Sequence, residues 1–75
     1  MFMHTLTAAK DIRIGYHIVI ATEEGGMAVA EVHRVWIDPA DGVEVTAIYR
    51  EGGFDRSEVF TVPSDGQVTR VERTV

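Results

Sequence analysis

Gly52-Gly53, set between Arg50-Glu51 and Phe54-Asp55, constrains this chain more than any other stretch. Paired glycines supply the positive φ that a two-residue hairpin loop needs, and alternating β-branched runs lie on both sides of them. With these two residues as the loop, Arg50 faces Asp55, Tyr49 faces Arg56, Ile48 faces Ser57, Thr46 faces Val59 and Val45 faces Phe60. That register is chemically consistent. It sets an ion pair beside the turn, lays an arginine over an aromatic ring, and puts an aromatic opposite a β-branched residue.

Upstream, Asp38-Pro39-Ala40-Asp41-Gly42 is a second turn signal: proline presets φ at the first corner, Asp38 can accept backbone hydrogen bonds and Gly42 suits a left-handed position. The two turns define a three-stranded antiparallel meander over residues 27–37, 43–50 and 55–62. A four-residue loop, 39–42, places Trp36 against Val45 and Val35 against Thr46. One face of the meander then carries Trp36, Val43, Val45, Ala47, Tyr49, Phe60 and Val62, and its aromatics make it the core face. The other carries Val35, Ile37, Ile48 and Val59 among Glu44, Thr46, Ser57 and Thr61. That is more apolar than a solvated face requires.

Toward the N-terminus, residues 2–7 suit a short strand and Ala8-Ala9-Lys10-Asp11 a single helical or 3₁₀ turn. Ile12, Ile14, Tyr16, Ile18 and Ile20 alternate as a strand, with Gly15 marking a bend or bulge. Glu23-Glu24-Gly25-Gly26 is the turn that leads into the meander. After Val62, Pro63-Ser64-Asp65-Gly66 breaks the strand and suits a 3₁₀ turn. A last short strand follows over 68–71, with a bulge or change of face between Val68 and Val71. Residues 73–75 are expected to fray.

A chain of 75 residues makes one domain, 1–75, and one of this size buries only about 60% of its unfolded surface. Small domains compensate with disulfides, metals or self-association, and with no cysteine the first route is closed. Twelve acidic against seven basic residues give a formal charge of -5, which disfavours nonspecific contact with nucleic-acid phosphates. No apolar stretch has the form of a signal peptide or the length of a membrane span, so a cytoplasmic protein without a membrane partner is expected.

The succession of hairpins, short 3₁₀ turn and final strand resembles small SH3-like barrels, the group that includes Tudor and KOW-type modules. Asp11-Ile12-Arg13-Ile14-Gly15-Tyr16-His17-Ile18-Val19-Ile20 looks like the first barrel strand of those domains, with Tyr16 where an acidic residue commonly follows the glycine. The resemblance covers roughly residues 11–71 and is architectural. It implies an all-β, five-stranded antiparallel barrel with an extra N-terminal strand. It also implies a binding role toward peptides, nucleic acids or other subunits, as in many bacterial and phage accessory proteins, which for a phage protein means the host cytoplasm. It carries over no catalytic residue.

No enzyme motif emerges. Ser57 and Ser64 lie in no nucleophile elbow, and the glycine pairs precede no helix that would cradle a phosphate. His4, His17 and His33 lack the spacing of metal ligands, Asp38, Asp41 and Gly42 are explained by turn chemistry, and no cofactor is implied. The expectation is a noncatalytic protein-interaction or assembly module that binds an unidentified protein or itself as a homodimer. Its contact residues are Val35, Ile37, Ile48 and Val59, with Tyr16 and Phe54 as exposed aromatics. Two alternatives stand beside it. One is nucleic-acid binding through Arg34, Arg50, Arg56 and Arg70; the other is an acidic surface of Glu23, Glu24, Glu51 and Asp55 offered to a basic host protein.

Overall fold

In a computed structural model, which describes residues 1–73, the chain forms six strands and one 3₁₀ turn. The strands are β1 (Phe2–Ala8), β2 (His17–Ala21), β3 (Met27–Asp38), β4 (Gly42–Glu51), β5 (Phe54–Val62) and β6 (Gln67–Arg73). The 3₁₀ turn, Ala9–Asp11, joins β1 to β2. All six strands belong to one antiparallel sheet in the order β1-β6-β2-β3-β4-β5. The sheet is not closed, because β1 and β5 remain as edges. β2 pairs with β6 only through His17 and Ile18. Beyond them a cleft of about 310 Å³, lined by Val19, Ile20, Ala21, Glu58 and Phe60, separates β2 from β5.

The Gly52-Gly53 hairpin forms as expected. Both glycines have positive φ, 59° and 83°, the signature of a type I′ turn whose twist matches the flanking strands. Its pairs run from Glu51 with Phe54 through Val45 with Phe60 to Val43 with Val62. The β2–β3 connection is a three-residue loop, 23–25, closed by Thr22 N–H to Gly26 O at 2.9 Å, with Gly25 supplying the positive φ.

The β3–β4 turn departs from expectation by one residue. Asp38 pairs with Gly42, which leaves a loop of three, 39–41, inside which Asp38 Oδ1 accepts from Ala40 N–H at 2.9 Å. Val35 therefore faces Val45, and Trp36 faces Glu44. A bulge between Val32 and Arg34 adds one residue to β3 and reverses its alternation. Below the bulge Ala28, Ala30 and Val32 point inward; above it Val35 and Ile37 do. Trp36 consequently leaves the core face assigned to it from sequence, and Val35 and Ile37 leave the reverse face.

Two other segments depart from their sequence pattern. The alternation from Ile12 to Ile20 yields a strand only from His17, because the chain turns at residues 13–16. Tyr16 N–H donates to Arg13 O at 3.2 Å, and Gly15 takes φ 94°. Ahead of β6, residues 63–66 make a hydrogen-bonded turn, Gly66 N–H to Pro63 O at 2.8 Å, in place of a 3₁₀ turn. Val68 and Val71 lie on opposite faces by simple alternation. Arg73 ends β6; residues 74 and 75 lie outside the described residues.

The core lies on the inner face. Ile12, Ile18, Val32 and Val45 are its largest fully buried side chains, joined by Ala9, Ile20, Ala30, Val43, Ala47, Tyr49 and Val62. Phe60, Val35, Tyr16 and Val68 pack at its margin. Fully burying one such aliphatic side chain contributes about 1.5–3 kcal/mol, and the inward alternation of β2 to β5 brings them together.

Candidate interaction surface

Strand alternation determines which side chains reach the outer face. On β4 these are Glu44, Thr46, Ile48 and Arg50; on β5, Asp55, Ser57, Val59 and Thr61; on β3, Met27, Val29 and Glu31 before the bulge and Arg34 and Trp36 after it. Trp36 is 61% exposed and Val59 60% exposed, two strands apart, with Thr46 and the half-buried Ile48 on the strand between them. Arg34, Val35, Trp36, Glu44 and Thr46 line an open groove of about 310 Å³. A second outer patch gathers Phe2, His17, Val29, Val71 and Arg73 around a groove of about 280 Å³. Glu31 and His33, 3.4 Å apart, lie between the two patches.

Of the six contact residues named from sequence, only Ile48 and Val59 share this face. Val35 and Ile37 instead line an open groove of about 530 Å³ on the inner side, with Ile12, Ile14, Lys10 and Arg13. Arg13 is held there by its Nη1, which donates to Lys10 O at 2.8 Å and Ile12 O at 3.1 Å. Phe54 is exposed at the β4–β5 tip on the inner side of the sheet. Tyr16, expected in solvent, is half-buried beneath Arg70, whose guanidinium carbon sits 3.6 Å from the ring centroid. Trp36 was missed because the β3–β4 loop is one residue shorter than the turn sequence suggests. A tryptophan between Val35 and Ile37, opposite a glutamate, was the available signal.

The arginines do not form a basic track. Arg50 Nη2 donates to Gly53 O at 3.3 Å, Arg56 Nε lies 3.6 Å from Glu51, and Arg70 Nη1 lies 2.9 Å from Glu72. Three of the four are thus engaged, and only Arg34 borders the Trp36 groove. The Tyr49 phenol is held above its ordinary value by burial first, then by the Glu58 and Glu51 carboxylates, with Arg56 opposing; Glu23 adds to the upward push. Its hydroxyl donates to Glu58 Oε1 at 3.5 Å. Glu23, on the first turn, thus shares in the acidic surroundings of the Tyr49 phenol.

Among the described residues, no three His, Asp or Glu side chains gather as metal ligands, and no helix is long and apolar enough to cross a membrane. In comparison with known proteins the chain matches no family model, no curated protein and no solved structure. Fold and surface together define the class: a small all-β domain built on one antiparallel six-stranded sheet, carrying large apolar side chains on its outer face.

Proposed function

We propose that this chain is a noncatalytic protein-interaction or assembly module of SH3-like architecture whose contact surface is the outer face around Trp36, Ile48 and Val59. The adjacency of β2 and β6, first and last strands around the meander, supports the SH3-like reading. One observation carries the functional reading: a 61% exposed tryptophan and a 60% exposed valine share a face with Ile48, rimmed by Arg34 and Glu44. An apolar patch with a polar rim is the usual form of a protein contact site, and tryptophan is the side chain most enriched among residues that dominate such contacts.

The test is retention of partner proteins from extracts of the native cell by the immobilised chain. Trp36→Ala and Ile48→Glu should weaken retention by about 30-fold or more, while Phe54→Ala should leave it unchanged. Retention that survives both outer-face substitutions refutes this surface. A second reading rests on the upward push that Glu58, Glu51 and Glu23 all exert on the Tyr49 phenol, which supports an acidic end that engages a basic protein. It predicts loss of retention on Glu23→Lys and Glu51→Lys and steep weakening with salt.

A further inference from the structure

Strand β1 differs from every other strand in what covers it. It pairs only with β6, and from Phe2 through Leu6 it is exposed on both faces. Phe2 is 65%, Met3 48% and Leu6 69% exposed, so three large apolar side chains stand in water on an edge strand. Edge strands are ordinarily guarded by charge or proline. The other edge, β5, follows that rule with Asp55, Arg56 and Glu58, whereas Phe2–Ala8 contains no acid, lysine, arginine or proline.

The open side of β1 can be read residue by residue. Ala9 N–H donates to Gly66 O at 3.1 Å, and in an antiparallel ladder the direction of the peptide groups alternates from there. Met3, Thr5 and Thr7 therefore direct their N–H and C=O groups to β6. Phe2, His4, Leu6 and Ala8 direct theirs outward.

We infer that β1 is a homodimerisation edge, pairing antiparallel with β1 of a second copy about a two-fold axis at Thr5. In this register Phe2 faces the partner's Ala8, Met3 the partner's Thr7, His4 the partner's Leu6, and Thr5 the partner's Thr5. Every outward peptide group is then used, in about eight backbone hydrogen bonds. Shifting the axis to His4 or Leu6 strands one residue of each copy. A second copy fits because the edge is uncharged, so apposing it with itself brings no like charges together. The twelve strands become one continuous sheet with Phe2, His4 and Leu6 of both copies on its outer side. The contact is at the small end of specific interfaces, the range of weak and transient association, and a dissociation constant on the order of 100 µM is the expected result. The inference extends the assembly reading above but uses a different surface, so each fails on its own experiment.

The absence of cysteine makes disulfide trapping a direct test. A non-hydrogen-bonded pair on a two-fold axis holds its Cα atoms about 4.5 Å apart, within disulfide range. Thr5→Cys should give a covalent dimer under mild oxidation, read on a non-reducing gel. Met3→Cys should not, since the two copies of Met3 lie about 13 Å apart along the strand. Leu6→Lys should abolish concentration-dependent dimerisation in sedimentation equilibrium and keep the wild-type melting curve at dilution. The proposal is overturned by a wild-type chain that stays monomeric up to about 1 mM. It is overturned equally by trapping of His4→Cys or Leu6→Cys in preference to Thr5→Cys.

Discussion

Gly42→Ala should be among the most damaging single-methyl additions to this domain, and its cost can be separated into two parts. Gly42 opens β4 with φ 117°, and its Cα passes beneath the end of β5. A Cβ built there would overlap the Val62 carbonyl oxygen and lie 2.9 Å from Ser64 N and 3.0 Å from Pro63 C. All three neighbours are backbone, so no side chain can rotate aside. The positive φ costs an L-residue about 1–2 kcal/mol, and forcing the backbones apart a further 1–3 kcal/mol, roughly 2–5 kcal/mol together. A domain of this length has about 4–11 kcal/mol to lose. Gly53 provides the control, because it too has positive φ, 83°, but no atom lies within 4 Å of its added Cβ. Gly53→Ala should cost only the first part, about 1–2 kcal/mol. Urea denaturation followed by circular dichroism measures both. With a slope of about 1 kcal/mol per molar, the midpoint of Gly42→Ala should fall 1–3 M below that of Gly53→Ala. Equal midpoints would refute the claim that the β3–β4 turn and the β5 exit are in backbone contact.

Two further predictions follow from single side chains. Trp36 is the chain's one tryptophan and stands on the outer face, so its fluorescence in the folded protein should be red-emitting and readily quenched by iodide or acrylamide; blue, protected emission would restore Trp36 to the core. Tyr49 has its phenol raised above 10.0, so the native state favours the neutral form; the contribution is complete below pH 10 and is lost as the pH rises through the folded-state value. Urea midpoints of the wild type should drop in that alkaline range more steeply than those of Tyr49→Phe, and parallel curves would disprove the linkage.

The meander was legible because its last turn has few solutions. Gly52-Gly53 allows one short loop, and once that loop is set every β4–β5 pair follows. Asp38 to Gly42 allows two loop lengths, and the sequence holds no count of which residues remain paired. A loop of four in place of three would put Trp36 inward and Val35 and Ile37 outward, the reverse of the observed faces. The bulge at His33 was invisible for a related reason. An extra residue is recognised only against its partner strand, where Val32 pairs Ala47 and Arg34 already pairs Thr46. Alternation in Ile12 to Ile20 mimics a continuous strand because a turn with Gly15 at its third position keeps Ile12 and Tyr16 in contact with the core while Ile14 swings out to 68% exposure. Tyr16 looked exposed because its cover, Arg70, comes from the far end of the chain. Residue type carried the inner core; only partner geometry determined the outer surface.

The bulge in β3 bears on how this chain can vary in length. Within a strand, losing one residue turns every side chain beyond the cut to the opposite face. At His33 the ladder already holds one residue more than its partner, so excising it would leave Val35 and Ile37 inward, Trp36 outward, and the pairs to β4 unchanged. Related chains should therefore tolerate a one-residue gap at this position and resist one anywhere else between Met27 and Asp38.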